Sequence, residues 1–365
     1  MKVIHIIRCI LLPFSILYGW VMRIRNFLFD KHLLRSQSFP LPVISIGNLS
    51  VGGTGKTPHT EYLIRLLNAR YSVAVLSRGY RRKSKGYILA GSDVTASMIG
   101  DEPFQMKRKY PSVTLAVDES RTHGINQLLS DRTQSAPEVL LLDDAYQHRQ
   151  VTPSLNILLT DVHYPLYDDQ MLPTGNLREP ICGRKRADIV IVTKCDSEMS
   201  ESEQEVIRKK LSLLPGQSLF FTTICYRHLC AVFESEAHHK VMALSDLRYD
   251  TRVLMVTGIA SPKPMLQEIK KYSLHTRSLV FPDHHFFSEK EVHQIAQLFD
   301  QIETENKLII MTEKDAMRFR ESPFVSVKMQ SYIYYLPIEV GFLANGESKF
   351  NQIILNHVES YSGSR

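Results

Sequence analysis

The sequence predicts an α/β protein with three parts: a parallel-sheet domain covered by helices on both faces, a second, smaller α/β domain, and an N-terminal membrane-associated helix. Three observations predict this. Solid apolar runs alternate with helical patterns over the first part of the chain, as in a parallel sheet buried on both sides. A shorter set of the same kind begins after the polar stretch Glu234–His239. Before both lies a largely apolar segment flanked by basic residues.

In chain order, that segment comes first. Val3 to Met22 is largely apolar, interrupted by His5, Arg8, Pro13 and Ser15, and flanked by Lys2, Arg23, Arg25, Lys31 and Arg35. Its longest uncharged stretch, Cys9 to Met22, falls short of the roughly 20 residues a spanning helix needs. Tyr18 and Trp20 stand near the basic end, where interfacial anchors stand. Residues 1–35 therefore read as a helix lying in the headgroup layer, with a spanning helix or a buried core helix as alternatives. No small-residue cleavage site follows.

Strands are expected at Val43–Ile46, Val73–Leu76, Val113–Val117, Val139–Leu142, Ile157–Thr160 and Ile189–Thr193, each a short apolar run. Helices are expected at Thr57–Asn68, Glu102–Lys109, Ser120–Leu129 and Glu201–Leu214. The second set has strands at Val253–Thr257, Ser278–Phe281, Leu308–Thr312 and Ile333–Leu336, with helices at Pro264–Tyr272 and Ser288–Asp300. The break within 225–250 divides the chain into a domain of residues 36–230 and a smaller one of residues 231–365.

The most informative stretch is Ser50-Val51-Gly52-Gly53-Thr54-Gly55-Lys56-Thr57, between the first strand and its helix. That is the context of a P-loop, which makes the first domain P-loop NTPase-like. Glycines let successive backbone N–H groups turn around phosphate oxygens. Lys56 would reach the β- and γ-phosphates of ATP, Thr57 would ligate Mg²⁺, and the helix start favours the same anion. The usual first glycine is replaced by Ser50.

Val139 to Asp144 is an apolar strand ending in two carboxylates, the form of a Walker B segment, so Asp143 and then Asp144 are candidates for Mg²⁺. Asp101 and Glu102 open a helix, where acids can be mere caps; beside a P-loop they read equally as a base for an attacking hydroxyl and a metal ligand. The residues alone make His284, after Asp283, a structural histidine. The basic run from Arg78 through Tyr80 to Lys85, then Arg121, and Gln147-His148-Arg149 follow strand ends and suit a phosphorylated sugar. Thr193-Lys194-Cys195-Asp196 is similar to the base-reading loop of GTPases, over only four residues.

The net charge of +6 suits an anionic partner, and 44% hydrophobic against 22% charged residues describes a folded chain. Five cysteines without a CxxC pair fit a reducing compartment. A nucleotide switch with a protein partner and a non-catalytic membrane scaffold are the rival classes.

Together these pieces resemble the tetraacyldisaccharide 4'-kinase (lipid A 4'-kinase) family over nearly the whole chain. The resemblance is carried by residues 47–58, 77–80, 100–103 and 143–149, by the segment Leu172 to Pro180, and by Asp283-His284 and Thr312 to Ala316. Thr174 and Asn176 depart from that family's LPAGPLREP segment. The resemblance implies transfer of the γ-phosphate of ATP to the 4'-hydroxyl of a lipid-linked glucosamine disaccharide 1-phosphate, in a cleft between the two domains. It also implies an Asp101–His284 dyad, and head-group contacts from Arg78, Tyr80, Arg121, Gln147 and His148. The expected partners are that lipid and the cytoplasmic face of the inner membrane, with no nucleic acid and no obligate protein partner.

Overall fold

The computed structural model describes residues 2–131, 136–237, 239–283 and 285–362, so His284 lies outside it. The chain forms two compact units. The first takes the chain up to Ile99, then Met106–Ile224, then everything from Val340 onward. The second takes Gly100–Gln105 and Cys225–Glu339.

In the first unit, the apolar runs pair as a nine-stranded sheet among the described residues. Val43–Asn48 is central, flanked in parallel by Val139–Asp143 and Leu155–Asp161. Val73–Ser77 and Thr114–Val117 continue one side in parallel, and Ile88–Leu89 closes it antiparallel. Ile189–Thr193 and Ser218–Tyr226 continue the other. All six residues of Val43–Asn48 are buried, as a strand covered on both faces requires. Each buried aliphatic side chain contributes roughly 1.5–3 kcal/mol, which makes this strand a rigid base for the loop that follows. The chain passes from Val139–Asp143 on one flank to Leu155–Asp161 on the other, so the crevice at their carboxyl ends is where a ligand is expected.

The C-terminal end departs from the expected division at residue 231. Ile338–Phe342 joins the first unit's sheet beside Ser218–Tyr226. Phe342 and Phe350, tilted against each other at 4.8 Å, pack edge-on with Tyr62 and Phe220 at centroid separations of 5.2–6.0 Å. The Tyr62 hydroxyl donates towards Glu347 (2.9 Å) and Asn351 (2.8 Å) of the helix Gly346–Ser362. This aromatic cluster draws the last strand and helix back to the nucleotide-type sheet.

The helix Lys2–Asp30 has an inverted surface. Its protein-facing positions include Ser15, Gly19, Asn26 and Phe29, which are buried. Ser15 Oγ donates to Thr174 Oγ1 (2.5 Å), the Tyr18 hydroxyl to Arg178 O (2.9 Å), and Asn26 Nδ2 to Glu179 Oε1 (2.7 Å). The outward positions are Ile10, Phe14, Leu17, Trp20, Val21, Ile24 and Phe27, all more than half exposed. No helix among the described residues is long and apolar enough to cross a membrane.

Among its described residues the second unit has a six-stranded sheet. His275–Val280, Arg252–Thr257, Lys307–Thr312 and Ile333–Leu336 run parallel, and Leu229–Ala231 and Val241–Met242 add antiparallel. The helix Glu289–Asp300 buries Val292, Ile295 and Phe299 against Leu254, Ile309 and Met311. At its start Glu291 Oε2 accepts from Ser288 N (2.8 Å) and Ser288 Oγ (2.6 Å).

Candidate active site

Ser50 to Thr57 forms a tight loop between the central strand and the helix Lys56–Asn68. Gly52 (φ 108°) and Gly55 (φ 85°) adopt left-handed backbone open chiefly to glycine. Val51, Gly52 and Gly53 are exposed, while Ser50 and Thr54 are buried. Three side chains hold the loop from behind. Asn48 Nδ2 donates to Thr54 Oγ1 (2.9 Å), Thr193 Oγ1 to Thr54 O (2.9 Å), and Gly55 O accepts from His59 Nδ1 (2.7 Å). That last bond puts the proton on Nδ1, so His59 Nε2 accepts from Thr222 Oγ1 at 3.1 Å. Burial pushes the imidazole down to about 4, against the opposing pull of Gly55 O, and it stays neutral. The segment 172–180 forms the outer wall: Val51 N donates to Asn176 O (2.8 Å) and Arg178 N to Leu49 O (2.7 Å).

Lys56 Nζ lies 3.7 Å from Asp144 Oδ1, and Arg178 Nη1 lies 3.4 Å from Asp144 Oδ2. Burial raises the Asp144 carboxyl, but Lys56, Arg178 and Arg121 outweigh it and hold the group below its usual value, hence ionised. Asp144 turns outward through a left-handed backbone (φ 46°), and its Oδ1 is buried without a hydrogen-bond donor. Asp143 is used differently. Its two oxygens accept from Thr60 Oγ1 (3.2 Å) and Ser77 Oγ (3.1 Å).

The fit to Mg²⁺ can be judged from these donors. A hard cation takes oxygens, commonly one or two carboxylates plus the phosphates of a bound nucleotide. Asp144 offers an ionised oxygen lacking a donor, and Thr57 a hydroxyl at the helix start, so the residues fit. Among the described residues no cluster of three or more His, Cys, Asp or Glu forms a site complete in itself. Glu102, the other expected ligand, belongs to the second unit, where Lys314 Nζ lies 3.5 Å from its Oε1.

Of the expected head-group residues, Arg78 and Tyr80 are exposed at the end of Val73–Ser77. Gln147 and His148 are half-buried beside the loop, Gln147 Nε2 donating to Asn48 O at 2.6 Å. Burial, then Arg121 and Arg78, push His148 down to about 4. Arg121, the fifth, is the most enclosed. It is 1% exposed, and its guanidinium donates to Asp118 O (2.7 Å) and Asp143 O (3.1 Å). Burial lowers it to about 10, partly offset by Asp143 and Asp144. It holds the carboxyl end of the Asp143 strand from inside.

Asp101 lies in the second unit with Arg318 as its ion-pair partner. His284, its expected partner, falls outside the described residues. Sequence reasoning gave no role to Arg318, Arg178 or Asn176, and placed Thr193 only in a segment similar to the base-reading loop of GTPases. The first three stand inside or just beyond the quoted segments 172–180 and 312–316.

A profile of the Tetraacyldisaccharide-1-P 4'-kinase (LpxK) family matches residues 7–359. The chain belongs to the tetraacyldisaccharide-1-P 4'-kinase family. It is therefore a lipid kinase of lipid A biosynthesis, ATP-dependent, acting on the 4'-hydroxyl of a tetraacyldisaccharide 1-phosphate. A tetraacyldisaccharide 4'-kinase of Bacteroides thetaiotaomicron is 53% identical over 95% of this chain and 92% of that protein. One from Parabacteroides distasonis is 48% identical over 96% and 95%. The crystal structure of LpxK from Aquifex aeolicus, an "apo" form in complex with ATP, superposes with a TM-score of 0.72 at 30% identity, covering 96% of this chain and 99% of that one.

Proposed function

We propose that this 4'-kinase holds ATP on the backbone amides of residues 50–57 with Lys56 on its terminal phosphates. Mg²⁺ would be held by Thr57 and Asp144, with Asp143 behind them and Glu102 as a further ligand. When bound, the ion would neutralise charge on the phosphates. Arg78, Tyr80, Gln147 and His148 would face the lipid's head group, while Arg121 keeps the Asp143–Asp144 turn in shape. Asp101, with His284 beside it, would take the proton of the 4'-hydroxyl. The helix Lys2–Asp30 would lie in the cytoplasmic surface of the inner membrane, where its apolar outer face leaves water and the acyl chains need not be extracted.

The observation that carries the nucleotide assignment is the Lys56–Asp144 pair, 3.7 Å apart beside a loop whose residues Val51, Gly52 and Gly53 are exposed. A lysine and a carboxylate with an oxygen short of a donor are the parts a metal–triphosphate replaces. Asp144→Asn keeps the shape and removes the charge. It should lower kcat by roughly 100-fold and raise the Mg²⁺ concentration for half-maximal rate, measured as transfer of labelled phosphate from ATP to the lipid. An unchanged Mg²⁺ dependence would remove Asp144 from the site.

A further inference from the structure

A closely held charged group outside the nucleotide loop is Arg318, on the second unit's helix Glu313–Arg320. Its side chain is 1% exposed. The helix is anchored at its start by Asp315, whose Oδ2 accepts from Thr312 Oγ1 (2.6 Å), Gly258 N (2.9 Å) and Thr257 Oγ1 (3.1 Å). Arg318 lies one turn further. Its Nη1 donates to His285 O (3.1 Å) and lies 3.5 Å from Asp315 Oδ1, and its Nη2 donates to Asp101 Oδ2. The Phe286 ring covers the guanidinium, 5.4 Å away. One planar fork thus ties together the segment 100–105, the strand-end segment beside His285 and a carboxylate pinned by three donors.

We propose that Arg318 is the positioning residue for Asp101 in phosphoryl transfer. This rests on the reading of Asp101 as the base. In the reaction the sugar oxygen forms a bond to the γ-phosphorus, the bond from that phosphorus to the β–γ bridging oxygen breaks to release ADP, and the hydroxyl proton passes to Asp101. The transition state of such transfers is loose, and the protein contributes mainly by placement. Arg318 supplies placement. It holds Oδ2 in a charge-assisted bond, which fixes the carboxylate plane. A lysine cannot do the same, because its point charge lacks the fork that spans Asp101, Asp315 and the His285 carbonyl.

Steady-state kinetics on the full chain in lipid-detergent micelles test this, with Arg318→Lys, Arg318→Met, Asp101→Asn and the double variant. Arg318→Met should lower kcat roughly 10- to 100-fold while KM for ATP stays within about twofold. Arg318→Lys, which keeps the buried charge and the fold, should fall in between. In the Asp101→Asn background, Arg318→Met should change kcat by less than about threefold, because a residue acting only through Asp101 has nothing left to position. A wild-type kcat in Arg318→Lys, or full multiplication of the two losses in the double variant, overturns the proposal. A near-normal kcat in Asp101→Asn instead removes the base reading beneath it. Should Arg318→Met melt below the assay temperature, Arg318→Lys alone decides.

Discussion

Acidification perturbs His59 in a calculable way. The imidazole is buried between Gly55 O and Thr222 Oγ1, and burial lowers it from 6.5 to about 4. Its unfolded form takes up a proton below about pH 6.5, whereas its folded form resists until about pH 4. Between those values the unfolded state binds more protons, so stability is complete above about pH 6.5 and drains away as the pH falls. At pH 5 the ratio of the two binding polynomials is about 30, or about 2 kcal/mol. Other groups titrate in the same window, so the comparison must be differential. Urea unfolding of the wild type and His59→Gln at about pH 7.5 and about pH 5 isolates the term. The stability gap between them should narrow by about 2 kcal/mol on acidification. A gap that stays constant within about 0.5 kcal/mol would refute the buried, neutral imidazole, and with it the account of how Gly55 is held.

Two further outcomes follow from packing. A Cβ at Gly47 would lie 2.7 Å from Tyr146 Cβ and 3.0 Å from its backbone nitrogen. Gly47→Ala should therefore destabilise by about 1–3 kcal/mol, read as a fall in urea midpoint, with ATP KM rising because the displaced strand carries the loop. On the N-terminal helix, Leu17→Gln with Ile24→Gln should cut co-sedimentation with anionic vesicles at least about tenfold and leave ATP binding intact; equal binding would remove that face from the membrane.

The sequence made the nucleotide half legible because its chemistry is local. A glycine-rich turn between strand and helix, and an apolar strand ending in carboxylates, each declare themselves within a few residues. What escaped was set by distant neighbours. Arg318 stands in Glu-Lys-Asp-Ala-Met-Arg-Phe-Arg, which reads as a solvated charged helix. Only tertiary packing buries it at 1% and turns it onto Asp101. Arg121 is the opposite case: a lone arginine after a strand reads as an exposed anion contact, and only the fold shows it buried on two carbonyls. The aromatic positions Phe342 and Phe350 announce burial but not the partner, so the return of the last helix to the first unit was invisible.

The seat of the N-terminal helix bears on how the protein can be handled. Trimming residues 1–30 to gain solubility would strip away more than grease. Glu179 is wholly enclosed, with Asn26 and Arg186 on its carboxylate, and Arg149 rests on Asp30 and the Phe29 ring. A truncated chain would leave that acid short of a donor and that guanidinium without its anion, beside the very segment that walls the nucleotide loop. Detergent, and not the knife, is the route this architecture recommends to a well-behaved sample.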